Sequence, residues 1–404
     1  MTNSKCVCVF SNFYPPVMSG SSVQVEGLCR ELVKQDWDVV VISARVVDGS
    51  AAYEVVDGVH IYRLPSLRLP KAMTLGFNFP WLGITFKPAN IKRINRILEK
   101  HQPSIVHLHN YMFDLALSAA YMCQIYKFPM VLTIHTYLRH PSPLINAVFY
   151  LVEQLFLKGM IVRKAKCVIC PDMNVMDYTR REFGDISTAL VPYGIHLSKA
   201  PTSTKVDLKK RFGLDGKRVI LSVGHLHPMR NRKDLFLAMP YVLKDIPNAV
   251  LLVVGDVSIR LPDELMKNDE INRAVILAGS LQHAEVSALL SFADIEVHWL
   301  NQDKPEKTSL GIASLEAMSA GLTVIAAANP DTYGKGVLTN SENIVIVEPN
   351  QPQDLAQVIG DLLRDDARRK AIGAHARRTI INHFSWDSVC KQTLDVYTSV
   401  IEKK

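Results

Sequence analysis

No stretch of the chain supplies the ~18 uninterrupted apolar residues of a membrane-spanning helix. The nearest, Leu144 to Met160, is broken by Asn146, Glu153, Gln154 and Lys158. Nor is a leader expected: Met1-Thr-Asn-Ser-Lys5 runs straight into Cys6 to Phe10, which is too short for a signal peptide's apolar core and has no small-residue cleavage site. These absences predict a cytoplasmic protein, soluble or held peripherally at the inner face of the membrane. Cysteine is sparse, seven residues scattered through 404, an odd number that excludes a disulfide framework and fits a reducing compartment. Cys167-Val-Ile-Cys170 has the spacing of a zinc pair, but no second pair accompanies it and the surrounding apolar run reads as a strand, so these cysteines are read as structural. A net charge of +7 is too small to imply nucleic acid binding, yet suits phosphorylated ligands or an anionic membrane. Solenoid repeats and low-complexity tracts are also missing. The one Asp-x-Asp pair, Asp36-Trp-Asp38, precedes a strand, at the end opposite any expected site. It reads as a surface turn, and neither a metal nor a cofactor is expected.

What is present is ordinary globular composition, 48% hydrophobic and 21% charged, at a length that suits two domains. Continuous apolar runs at Cys6 to Phe10, Val39 to Ser43, Val59 to Leu64, Ser104 to His109, Val131 to Ile134, Cys167 to Cys170 and Ala189 to Val191 predict strands. Amphipathic segments such as Gln24 to Lys34 and Ile91 to His101 separate them. Continuous rather than alternating hydrophobicity indicates strands covered on both faces, hence a parallel sheet. The pattern lapses from Pro192 to Asp215, read as a linker, and restarts at Val219 to Val223, Val250 to Val254, Val275 to Leu277, Ile295 to His298, Thr323 to Ala327 and Ile344 to Val347. The expected fold is α/β, two Rossmann-like doubly wound domains with ligands at the carboxyl ends of their strands.

Three junctions between a strand's end and a helix's start carry the candidate chemistry, because free backbone N–H groups and the helix dipole favour anions there. After the first strand, Phe10 to Ser22 is stiffened by prolines, and Gly20 lets backbone approach a phosphate or sugar; a mere turn is the alternative. After the second domain's first strand, Gly224-His225-Leu-His-Pro-Met-Arg230-Asn-Arg232-Lys233 gathers cations at a helix start, a conflict that a bound anion relieves; a solvated basic turn is the alternative. The third runs from Lys304 to Gly321. Thr308 or Ser309 can cap a helix, Gly311 permits close approach, and Glu316, one to two turns further in, can accept two ribose hydroxyls or pair with a nearby cation. His107-Leu-His109 alternates on a strand end through pleat alone.

With these residues in view, the chain resembles, over nearly its whole length, the retaining glycosyltransferases of GT-B fold, the group 1 or family 4 type. The likeness is carried by Ser309-Leu310-Gly311-Ile-Ala-Ser-Leu-Glu316-Ala-Met-Ser-Ala-Gly321, by Val191-Pro-Tyr-Gly194-Ile, by Val223-Gly-His-Leu, and by the closing Asn-His-Phe384-Ser-Trp386. The resemblance implies an N-terminal acceptor-side domain, 1–196, completed by a crossing C-terminal helix, 386–404. It implies a nucleotide-sugar-binding domain, 197–385, facing it across a cleft. It further implies that His225 and Arg230 hold the diphosphate of a UDP- or GDP-sugar, with Glu316 on the ribose and Leu281 at the base. By the same resemblance His135 matches a first-domain histidine placed near the reacting sugar carbon, and Thr308, Ser309, Leu310 and Gly311 are expected to line the donor site. Catalysis then falls to His135, Arg230 and Thr308 without a metal, fixed cations and helix N–H groups stabilising the leaving diphosphate.

The chain departs from that pattern at three places. His225 stands where most members carry arginine and Arg230 where lysine is usual, so one charge persists and one becomes pH-dependent. Counting eight positions back from Glu316, the family's first motif glutamate is Thr308, with Glu306 two residues earlier as a substitute. The glycine pair after the first strand is reduced to Gly20-Ser21. The acceptor is a glycan, a lipid-linked molecule or a small natural product. Ser66 to Lys87, apolar and aromatic with flanking cations, reads as a peripheral membrane contact, an acceptor lid or ordinary packing. A nucleotide-sugar epimerase and a non-catalytic nucleotide-sugar binder are the rival classes.

Overall fold

The computed structural model describes residues 5–68, 83–140, 142–197, 202–224, 232–256, 269–298, 300 and 309–402. The chain divides into two compact units, Met1–Gly194 with Trp386–Lys404, and Ile195–Ser385.

The first unit holds β1 (Cys6–Ser11), β2 (Asp38–Arg45), β3 (Tyr53–Val56), β4 (Val59–Pro65), β5 (Leu67–Arg68), β6 (Gly83–Ile84), β7 (Ile105–His109), β8 (Met130–Thr133), β9 (Cys167–Cys170) and β10 (Thr188–Leu190). Eight of them form one sheet in the order β10-β9-β8-β7-β1-β2-β4-β3, parallel except for β3, which pairs antiparallel with β4. The apolar runs are continuous because both faces are covered. Along β1, Cys6, Cys8 and Phe10 enter one core cluster while Val7 and Val9 enter the other, the two-residue alternation of a pleated strand.

The second cluster is completed from the far end of the chain. Helix Trp386–Glu402 brings Trp386, Val389, Cys390 and Tyr397 into it. Trp386 lies over two glycines: a Cβ placed on Gly27 would come within 2.1 Å of the indole, and one on Gly194 within 2.3 Å.

The second unit holds β11 (Arg218–Val223), β12 (Ala249–Val254), β13 (Val275–Gly279), β14 (Ile295–Val297), β15 (Thr323–Ala326) and β16 (Val345–Ile346), all parallel, in the order β13-β12-β11-β14-β15-β16. This is the doubly wound order of a dinucleotide-binding sheet, and its direction reverses between β11 and β14.

Two elements depart from the sequence expectation. The β3–β4 hairpin was not anticipated, although Asp57-Gly58 at its turn, with φ of 49° and 81°, is a strong signal for a two-residue reverse turn. The expected linker 192–215 contains helix Thr202–Phe212, whose Leu208 is buried in the second unit's core. Its lysine-rich surface hid that single apolar anchor.

Candidate active site

In a doubly wound sheet the loops that leave the carboxyl ends of strands at the reversal point in opposite directions open a crevice. In the second unit these are the ends of β11 and β14. His225, Arg230, Glu306 and Thr308 lie outside the described residues, but the groups that anchor their loops are visible. From β14's end His298 reaches forward, and its Nε2 accepts the backbone N–H of Gly311 at 3.0 Å. Beyond β11, Arg232 is turned into the protein. Its Nε donates to Ser222 Oγ at 2.8 Å and its Nη2 to the Gly224 carbonyl at 2.9 Å. Arg232 was counted among the cations of an anion site; at 2% exposure it is a buried brace of the strand end instead. The Ser222 hydroxyl in turn donates to the Val297 carbonyl at 2.7 Å, so the brace links the two strands that part at the reversal point. Glu296 sits beneath, fully buried on β14. Burial pushes its carboxyl up to about 8, against the opposing pull of the Ser314 hydroxyl and the Arg232 charge.

Helix Ile312–Ser319 starts later than expected. Its N-cap is Gly311, in ordinary extended backbone at φ −68°, and no side chain caps it, so Ser309 does not serve as the cap. Gly311's own N–H is committed to His298. The first-turn amides of Ile312 and Ala313 have no partner within the helix and lie at its positive end, as an anion site requires. Leu310 is a core residue, 6% exposed, with its carbonyl accepting the Tyr333 hydroxyl at 3.1 Å. Its side chain packs in the second unit's core.

Glu316 lies one turn into this helix, its side chain 21% exposed. Burial raises its pKa above the usual carboxylate range, and the charge of His283 pulls it back. His283 Nδ1 stands 4.0 Å from Glu316 Oε1. It opens helix His283–Leu290, two residues after Leu281, whose half-buried side chain packs on the same core. The loop expected at the base and the carboxylate expected at the ribose are thus neighbours on one edge of the second unit.

In the first unit the sheet reverses at β1 and β7. His109, at the end of β7, is hydrogen-bonded through Nδ1 to His135 Nε2 at 2.9 Å, and His135 Nδ1 to the Tyr193 hydroxyl at 3.2 Å. Asn110, at φ 63°, accepts the His135 backbone N–H at 3.0 Å and so fixes the ring's base. Burial holds His135 down to about 4 and His109 well below its ordinary value. Both rings are therefore neutral at neutral pH, able to donate and accept but not to act as fixed cations. Two polar groups here have no partner among the described residues, His109 Nε2 and the Asn12 amide. In the sequence His109 reads only as one of a pair alternating by pleat, and Asn12 is passed over as one polar residue in a proline-rich loop. His107 is structural: its Nδ1 and Nε2 bond the hydroxyls of Tyr397 and Thr133, each at 2.7 Å. Gly20 is the first residue of helix Gly20–Lys34, behind a Ser19–Ser22 capping box. A Cβ there would meet nothing within 4 Å, so the space above it is open.

Residues 18–199 match the Glycosyltransferase Family 4 and residues 205–379 the Glycosyl transferases group 1. Sucrose-phosphate synthase from Thermosynechococcus elongatus has the same fold, with a TM-score of 0.71 at 20% identity, covering 99% of this chain and 100% of that one. The chain is a GT-B glycosyltransferase. The glycosyltransferase is also 26% identical over 402 residues to the glycogen synthase of Mycobacterium tuberculosis, across 95% of this chain and 92% of that protein. A structure of Anabaena HepE in complex with UDP-glucose superposes with a TM-score of 0.66 at 16% identity, over 98% of this chain and 99% of that one. Like these neighbours, the glycosyltransferase consists of two Rossmann-like domains.

Proposed function

We propose that this glycosyltransferase is a cytoplasmic enzyme that moves a sugar from a UDP- or GDP-sugar to a glycan, lipid-linked or small natural-product acceptor, retaining anomeric configuration and needing no metal. The observation that carries the reading is Glu316. A half-buried carboxylate stands one turn inside a helix whose uncapped N-terminus lies at the sheet's reversal point, beside the loop that bears Leu281. Such a carboxylate accepts two ribose hydroxyls while the amides of Ile312 and Ala313 face the diphosphate. His225 and Arg230 add charge to that diphosphate, and Ser309, Gly311 and Thr308 border the sugar. Leaving-group stabilisation by fixed cations and helix N–H groups requires no Lewis acid. In the first unit, neutral His135, held by His109 and Tyr193, serves the sugar's hydroxyls as a hydrogen-bonding group, and Gly20 leaves room for substrate backbone approach.

Incubation with a panel of nucleotide sugars and acceptors in excess EDTA, followed by mass spectrometry, tests the proposal. A glycosyl mass increment on an acceptor with release of nucleoside diphosphate is expected. Donor isomerised without acceptor would favour an epimerase, and donor bound but never consumed would favour a sensor. Arg230→Ala should lower kcat/KM by roughly 10²-fold, the scale of one preorganised charge.

A further inference from the structure

The helical segment Pro143–Lys164 of the first unit is apolar on its outside, while its inside is fastened by Phe149, Ile161 and Val162 together with one acid. Leu144 and Leu155 are 76% and 69% exposed, and Val148, Leu151, Phe156 and Met160 are exposed as well. Steps of three and four residues place most of these on one stripe. The segment's acid faces inward: Glu153, at a π turn over Glu153–Leu157, is fully buried and accepts the hydroxyls of Tyr111 and Tyr178. Phe149 is buried beside it. A soluble surface helix keeps its outward face polar, so the apolar stripe points to a partner.

Length and composition alone would let these 22 residues cross a membrane. Crossing, however, would draw Phe149 and Glu153 out of the first unit and put a carboxylate into hydrocarbon, where it is costly. The segment is fastened along one side and can only lie flat. The charges around it give the partner's sign. From residue 139 to residue 166 the charged side chains other than buried Glu153 are Arg139, Lys158, Arg163, Lys164 and Lys166, all cations. Glu182, 3.6 Å from Arg139, offsets part of that charge, and the Lys158 ammonium is turned to Gln154 and the Glu182 carbonyl, which leaves Arg163, Lys164 and Lys166 exposed. Two copies of the chain meeting through this segment would bring these like charges towards one another, whereas an anionic lipid surface attracts the exposed cations.

We propose that this face seats the first unit on an anionic lipid bilayer, with the helix parallel to the membrane plane and its apolar stripe at the boundary of headgroups and acyl chains. The seat is independent of the acceptor's identity and of the donor site.

The test is sedimentation of the full chain with vesicles of phosphatidylcholine alone and of phosphatidylcholine mixed equally with phosphatidylglycerol. Wild type should partition onto the mixed vesicles and far less onto the neutral ones. Leu151→Gln with Leu155→Gln, both exposed positions where glutamine keeps helix propensity, should reduce that partition at least about tenfold with unchanged thermal melting. Hydrogen exchange should slow in 143–160 on mixed vesicles. Absence of wild-type partition, equal partition of the variant, or a lipid-free dimer that the double variant dissociates would each overturn the proposal.

Discussion

His298 Nε2 accepts the backbone N–H of Gly311 at 3.0 Å, tying the end of β14 to the residue that starts the Glu316 helix. The bond fixes the residue from which the helix starts, so the helix N-terminus keeps its aim. Replacing His298 with Leu strands that N–H at a cost of about 1–3 kcal/mol, and kcat/KM should fall roughly 5- to 100-fold. His298→Gln, which restores an acceptor, should recover part of the loss. Equal activity of the Leu and Gln variants would show that the bond does not position the helix.

In the proposed function Glu316 binds ribose as a carboxylate. Its pKa is raised by burial and restrained by His283, so nucleoside diphosphate affinity should weaken as pH falls through that raised value. In His283→Ala the restraining charge is gone, and the acid limb should move to higher pH. Affinity measured by calorimetry across pH 4 to 7 checks this; an unmoved limb would exclude the coupling.

Glu296 makes a stability prediction with a definite sign. Its folded pKa of about 8 lies above the ordinary 4.5, so between those values the folded state holds more protons than the unfolded one. The stability that Glu296 contributes is therefore fully present below its unfolded value and is lost as pH rises towards 8. Glu296→Gln cannot titrate, and its melting temperature should rise relative to wild type from pH 5 to pH 8. A constant difference would mean that Glu296 titrates normally.

Gly27 sits inside a helix, where alanine ordinarily stabilises by about 0.8–1.0 kcal/mol. Here a Cβ would come within 2.1 Å of the Trp386 ring, and overpacking of about 1–3 kcal/mol should win. Gly27→Ala should melt below wild type. In a Trp386→Ala background, which creates space, the same change should be neutral or stabilising.

Much of this could be read in the sequence, because parallel strands buried on both faces announce themselves as unbroken apolar runs. Cys167–Cys170 matches its expected range and Val219 to Val223 misses only Arg218. The proposed roles of Glu316 and Leu281 rest on local motifs and on the family resemblance they carry. What escaped depends on closure of the chain. His298 meets a residue 13 positions away only because a strand and a helix flank their loop, and Arg232 looks like a surface cation until Ser222 and Gly224 are placed around it. The inward turn of Glu153 was equally hidden: in sequence it merely interrupts an apolar stretch, whereas in the fold it shows which side of that stretch faces out.

The contact between Glu316 and the donor's ribose is the central claim, and a double-mutant cycle tests it. Affinity for UDP and for 2′,3′-dideoxy-UDP, or the GDP pair if GDP binds better, is measured for wild type and Glu316→Ala in EDTA. Hydrogen bonds to a charged group are worth about 1.5–3 kcal/mol, so loss of the ribose hydroxyls should weaken wild-type binding roughly 10- to 100-fold. In Glu316→Ala the same loss should have almost no effect. Equal losses in both proteins would show that Glu316 does not hold the ribose and would contradict the donor site described here.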